Sequence, residues 1–245
     1  MTNFPMWIIS ECIHNPLFIV CYNVRMKRFI RNNSLVLALL ALFFMSLVGL
    51  SFSGLSQYND EQKSHNQSEI TYVNYLITPH FFEAVFENWE SEYLQMWALV
   101  ILTIYLKQKG ASDSKKIRGK EGVDTPSRYS VIRSFELSKN RNKAIINLIY
   151  SNSLGIALLA LFIFSFVLHG ISGVGIYNEE AQVHGQEKLT LLGYFLSSQF
   201  WFESFQNWQS EFLAVASLLI LSIFLRQRGS PESKPIGAPN SKTGE

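Results

Sequence analysis

The sequence predicts an all-α integral membrane protein: four transmembrane helices arranged as two parallel-repeat helical hairpins, with both termini cytoplasmic. Three observations predict it. Uncharged apolar runs occur at 34–52 (SLVLALLALFFMSLVGLSF) and 154–169 (LGIALLALFIFSFVLH). Each extends through small or apolar residues to about twenty, enough to cross ~30 Å of hydrocarbon at ~1.5 Å per residue. The second half of the chain repeats the first at a constant offset of 119. Basic residues flank the paired spans, whereas acidic residues fill the loops within each pair. A buried core helix of a soluble protein is the alternative, but apolar residues are 48% of the chain and lie in uninterrupted runs; cores seldom need several helices that are apolar all round.

The chain begins with an N-terminal arm, 1–32. Its apolar stretch is broken by Glu11, His14, Asn15 and Pro16, so it makes a weak span. Met26 stands directly before Lys27-Arg28-Phe29-Ile30-Arg31, which makes it a candidate natural start; a partly interfacial arm is the equal alternative. A basic start before an apolar run also describes a signal peptide, with Ser51-Phe52-Ser53 as a cleavage site. The run is too long for that, and its repeat partner begins mid-chain at Ser153. Cys12 and Cys21 are the only cysteines, and their spacing suits neither a metal site nor a disulfide framework.

The first hairpin repeat occupies 33–110. After its first span comes a polar stretch with Tyr58, Asn59, Asp60, Glu61 and His65, then Pro79 and an aromatic-rich run leading into a second span at 93–106. Residues 111–151 read as a basic cytoplasmic linker with a short helix near 140–150. The second repeat, 152–229, carries the third span from Ser153 and the fourth at 212–225. Residues 230–245 read as a disordered tail.

The repeat is carried by polar residues as well as apolar ones. Asn33-Ser34-Leu35 meets Asn152-Ser153-Leu154, Tyr58-Asn59 meets Tyr177-Asn178, Glu61 meets Glu180, and His65 meets His184. Asn88-Trp89 meets Asn207-Trp208, and Ser91-Glu92 meets Ser210-Glu211. Apolar composition alone would not align these loop residues. The positive-inside rule then sets the linker and both termini in the cytoplasm and the acidic loops outside. That topology accounts for the basic residues, and no nucleic-acid motif is present.

Two constellations are candidates for chemistry. Residues 86–92 (FENWESE) and 205–211 (FQNWQSE) open the second and fourth spans. Counting ~1.5 Å per residue back from Lys107 and from Arg226 leaves Glu92 and Glu211 inside the outer leaflet. Asn88, Ser91, Glu92, Asn207, Ser210 and Glu211 are therefore a candidate ligand or ion site facing the bundle. The competing reading puts both carboxylates in the wet interface, with Trp89 and Trp208 as interface anchors. The second constellation is Glu61 with His65 and Glu180 with His184, one helical turn apart and compatible with metal binding. Its bland alternative is a solvated polar helix face. His80 and His169 align with Gln199 and Leu50 and receive no role. No catalytic motif appears, so no catalytic residue is assigned, no cofactor is expected, and an enzyme is disfavoured.

The ordered elements are an apolar span, Tyr58-Asn59 with Glu61 and His65, and Asn88-Trp89-Glu90-Ser91-Glu92-Tyr93-Leu94, closing on Leu106-Lys107-Gln108-Lys109-Gly110. With their second copy, they resemble an uncharacterised bacterial multi-pass membrane protein family known only as a domain of unknown function, in two tandem copies. The resemblance covers both repeats, leaves out residues 1–25, and implies the cytoplasmic membrane and no known activity. Glu83, Glu87 and Glu90 align with Phe202, Gln206 and Gln209, so these three have no two-fold symmetric role. The expectation is a non-enzymatic structural or partner-binding membrane protein, whose partners are membrane lipid and a homo-oligomer or another membrane protein. A small oligomeric transporter or ion- or proton-conducting unit using Glu92 and Glu211 is the alternative, and a metal-dependent membrane enzyme is a further one. Four helices are few for a transporter, which would need an oligomer.

Overall fold

The structure is a computed structural model that describes residues 26–119, 121–124 and 141–244. Most of the predicted N-terminal arm, residues 1–25, lies outside the described residues. Every regular element among them is helical. After a helical stretch over 26–32 come α1 (Ser34–Ser64), α2 (Tyr72–Tyr75) and α3 (Pro79–Tyr105), a 3₁₀ turn at Gly122–Asp124, then α4 (Arg141–Ser151), α5 (Ser153–Val183), α6 (Leu191–Phe195) and α7 (Ser198–Phe224). The chain divides into two compact units at the Tyr72–Val73 junction.

Three helices, α1, α5 and α7, are long and apolar enough to cross a membrane. The sequence predicts four. The missing one is the second, because 93–106 is only the C-terminal half of α3. Its N-terminal half carries Glu83, Glu87, Glu90 and Glu92, which dilute the apolarity a span requires. The sorting of side chains nevertheless suits lipid: Leu35, Leu39 and Met45 on α1 and Leu213 and Phe224 on α7 are exposed. The buried set includes Ser51, Glu90, Ser91, Ser165, His169 and Ser172. Polar groups inside and large apolar groups outside is the reverse of a soluble fold.

Unit one is α1 with the loop that returns along its end. The helix closes in a Schellman motif: Asn66 takes a left-handed φ of 59°, and the Gln67 amide donates to the Gln62 carbonyl at 2.8 Å. Asn59 then clamps the loop, its Oδ1 accepting from the Ile70 amide at 2.9 Å and its Nδ2 donating to the Ile70 carbonyl at 3.2 Å. Ser51 and Tyr72 hydroxyls meet at 2.9 Å.

In the second unit the end of α5 is built the same way. Gly185 takes a φ of 66°, Gln186 N–H donates to Ala181 at 2.7 Å, and Asn178 clamps Leu189 through bonds of 2.8 and 3.0 Å. Replacing Asn178 with Ala leaves a part-buried amide and carbonyl unpaired, at about 1–2 kcal/mol. The expected result is ~5- to 30-fold faster hydrogen exchange at the Leu189 amide, with α5 unchanged around His169; equal exchange would refute the clamp.

The later helices are capped by side chains. Thr78 Oγ1 accepts from Phe81 N with Pro79 at the first helical position, and Ser197 Oγ accepts from Phe200 N, each at 3.3 Å. The helices α3 and α5 run antiparallel and share the most extensive packing in this unit. Glycines permit it at both ends: a Cβ on Gly155 would lie 3.2 Å from Ile101, and one on Gly175 would lie 2.9 Å from Pro79. The third helix, α7, packs on α3 and reaches α5 mainly through large side chains, with Phe162 against Trp208 and Phe166 against Phe200.

The tail, for which the sequence predicts disorder, runs as successive turns over 230–244. Lys234 explains the difference. Its ammonium group donates to the carbonyls of Gly110 (2.6 Å) and Asn240 (3.1 Å), and at 3.3 Å to those of Ile223 and Lys242. Gly110 N–H in turn donates to Thr243 Oγ1 at 2.8 Å.

Candidate functional site

The first half of α5 is apolar except for small hydroxyls until His169, whose side chain is fully buried. Facing it on α3 is Glu90, 1% exposed. Their spacing on the two helices follows from the antiparallel packing just described. His169 Nδ1 lies 2.6 Å from Glu90 Oε2, and the Trp208 indole donates to Glu90 Oε1 at 2.9 Å. With Glu90 as the acceptor, the Nδ1 of His169 carries the proton in this bond. The ring is flanked by Phe200, centroid to centroid 5.0 Å.

The other nitrogen of His169 is the anomaly. Nε2 is buried and without a hydrogen-bond partner, 3.5 Å from Glu203 Oε2. Glu203 comes from α7, where Tyr194 donates to its Oε2 at 2.6 Å and Gln199 donates to its Oε1 at 2.5 Å. Burial, followed by the bond to Glu203, drives the Tyr194 phenol far above its ordinary value, so Tyr194 acts here only as a donor. Its ring is seated on Gly173, where a Cβ would lie 2.7 Å from the ring. Ligand atoms of Glu83, His169 and Glu203 lie within 4.8 Å of one another, the one such trio of metal-type side chains among the described residues. Glu87 flanks them and accepts from Asn207 Nδ2 at 2.6 Å.

Of the residues singled out from sequence, Asn207 and Trp208 enter this centre. Ser91 is buried and donates to the Asn88 carbonyl at 2.9 Å, and exposed Ser210 does the same to Asn207 at 2.8 Å. Exposed Asn88 donates to Ala84 at 2.7 Å. Glu92 is exposed and Glu211 half-buried, close enough for their charges to interact. Trp89 packs edge-on against Phe86. Glu61 and His65 end α1, and Glu180 and His184 end α5; all four are exposed, and each His amide donates to the Glu carbonyl of its own pair.

Sequence reasoning set aside the residues that matter most here. His169, Glu83, Glu87 and Glu90 were discounted because their repeat partners are Leu50, Phe202, Gln206 and Gln209. A usable signal was present: Glu83, Glu87 and Glu90 recur at four and three residues, one face of a helix, and His169 is the ionisable residue in an otherwise apolar run.

A family model described as a domain of unknown function, DUF6766, matches residues 26–245. The chain belongs to the DUF6766 family. No curated protein and no solved structure matches it. In this DUF6766 chain, function is therefore argued from the centre itself.

Proposed function

We propose that this DUF6766 protein is a multi-pass protein of the cell membrane whose buried carboxylate–histidine centre binds a cation, as part of a small oligomeric transport or conducting unit. The carrying observation is His169, fully buried, with one nitrogen on Glu90 and the other making no hydrogen bond, only a 3.5 Å ion-pair contact with Glu203. Ionisable groups inside a membrane bundle are costly and mark ion or substrate paths. A purely structural contact between α3 and α5 would be served as well by apolar side chains, which are often neutral or stabilising replacements for buried ion pairs.

The topology that goes with this reading is four spans in two parallel hairpins, α3 supplying the second, with both termini cytoplasmic. It is supported by the recurrence, at the offset of 119, of the Asn59 and Asn178 clamps and of the left-handed residues Asn66 and Gly185. On this topology His169 lies roughly 24 Å along α5 from Ser153, within the outer leaflet. Glu92 and Glu211, further along α3 and α7, then lie on the cytoplasmic side of the centre.

The test is flux. Proteoliposomes carrying the wild type are expected to take up at least one of H⁺, Na⁺, K⁺, Mg²⁺, Mn²⁺ or Zn²⁺ several-fold faster than protein-free vesicles. Glu203→Gln is expected to bring uptake to background. If no ion in that panel moves, the transport reading fails.

A further inference from the structure

We infer that His169 Nε2, Glu203 and Glu83 form a binding site for one divalent first-row transition metal ion, which deepens the cation-centre reading and rests on it. The three ligand atoms come from α5, α7 and α3 and lie within 4.8 Å of one another. Acidic clusters are common without an ion, so the decisive feature is the histidine. Nε2 is fully buried and has no hydrogen-bond partner, a state that ordinarily costs a folded protein stability. Its 3.5 Å separation from Glu203 Oε2 is long for a hydrogen bond. It is close to the ~3.3–3.4 Å expected between two ligands that each sit ~2.0–2.1 Å from a tetrahedral ion.

The surrounding bonds are those a metal-bound histidine uses. Glu90 accepts the Nδ1 proton at 2.6 Å, which fixes the ring's orientation and leaves the Nε2 lone pair facing Glu203. Such carboxylate–histidine pairs orient ligands and raise their basicity. Trp208 holds Glu90, and Tyr194 holds Glu203. Once a divalent ion displaces the protons the three groups hold, two carboxylates and an imidazole present two negative charges, which the ion cancels in a medium where net charge is expensive. Calcium and magnesium ask for all-oxygen shells of six or more ligands, whereas an imidazole with two carboxylates suits zinc, manganese or iron(II). Ser165 lies one helical turn from His169 and Ser204 lies next to Glu203; both hydroxyls are likewise buried without partners. They offer polar surface for a water in the remaining coordination position.

The experiment uses the full chain, purified in detergent without a polyhistidine tag, stripped with chelator and titrated with Zn²⁺ by calorimetry; Co²⁺ serves as an optical probe. The wild type is expected to bind one Zn²⁺ per chain and to give Co²⁺ absorption bands of a low-coordinate nitrogen–oxygen site. Glu83→Gln, the half-buried ligand and so the least disruptive change, is expected to weaken Zn²⁺ at least tenfold. His169→Gln, checked for folding by size exclusion, is expected to abolish the Co²⁺ bands. Absence of stoichiometric Zn²⁺ in the wild type, or unchanged binding in both variants, overturns the assignment. So does loss of binding with Glu61→Gln in place of Glu83→Gln, which would move the ion to the helix ends. Flux of another cation without Zn²⁺ binding removes the metal and keeps the transport reading. Zn²⁺ binding without flux keeps the metal site and removes transport.

Discussion

His169→Leu is expected to destabilise the protein by about 3–5 kcal/mol, and adding Glu90→Gln is expected to return more than half of that. The single change removes the partner of a carboxylate that is 1% exposed, leaving Glu90 with the Trp208 indole alone. Breaking a buried pair from one side is costly because the remaining charge stays in the interior. The double variant places Gln and Leu where the sequence already has Gln209 and Leu50 at the corresponding positions of the repeat. It therefore replaces a charge by a neutral amide and an imidazole by a hydrocarbon, the residue types the other copy carries at the matching positions. The measurement is equilibrium unfolding in mixed micelles for the wild type, both single variants and the double, read as a double-mutant cycle. Additive effects, or a His169→Leu variant within ~0.5 kcal/mol of wild type, would show that the 2.6 Å contact has no energetic weight.

The second large effect is expected at Gly173. It is buried on α5 with Tyr194 against its face, and a Cβ there would lie 2.7 Å from Tyr194 Cε1 and Cζ. Nothing at that distance can stay, and the obstacle is a ring rather than the tip of a flexible chain. Gly173→Ala should cost about 1–3 kcal/mol as overpacking. It should also pull the Tyr194 hydroxyl off Glu203, where it donates at 2.6 Å, adding ~1.5–3 kcal/mol for a bond to a charged acceptor. Tyr194→Phe isolates that second part. The expected order of stability is wild type, Tyr194→Phe, Gly173→Ala. A Gly173→Ala variant as stable as wild type would mean that Tyr194 is not seated there.

Much of the architecture was legible because it is written locally. The apolar runs announce spans. Asn59 and Asn178 sit at matched positions because the same loop closure is built twice. The centre was illegible for the same reason. Weight given to matched residues favoured Glu92, Glu211 and the pairs Glu61/His65 and Glu180/His184, whereas the buried cluster consists of residues that differ between halves. Glu90 and His169 are 79 positions apart, and only the close antiparallel packing of α3 on α5, permitted by Gly155 and Gly175, brings them together. Periodicity reports which face of a helix is buried, and it is silent on which helix covers it. The order in the tail was missed because it depends on one lysine finding four carbonyls, three of them on parts of the chain that composition treats as separate or as solvated.

The packing of α3 on α5 also has a consequence for biosynthesis. A chain threaded into the membrane from its N-terminus presents Glu83, Glu87 and Glu90 long before His169 is made. At ~5–20 residues per second the delay is on the order of 4–16 s. During that interval α3 is the least apolar of the long helices and its acids lack the imidazole and indole that later receive them. On the proposed four-span topology, commitment of α3 to the bilayer is thus a late event, completed when α5 arrives. On that topology, a ribosome stalled between the two halves would leave a nascent chain whose α3 is not yet held by α5.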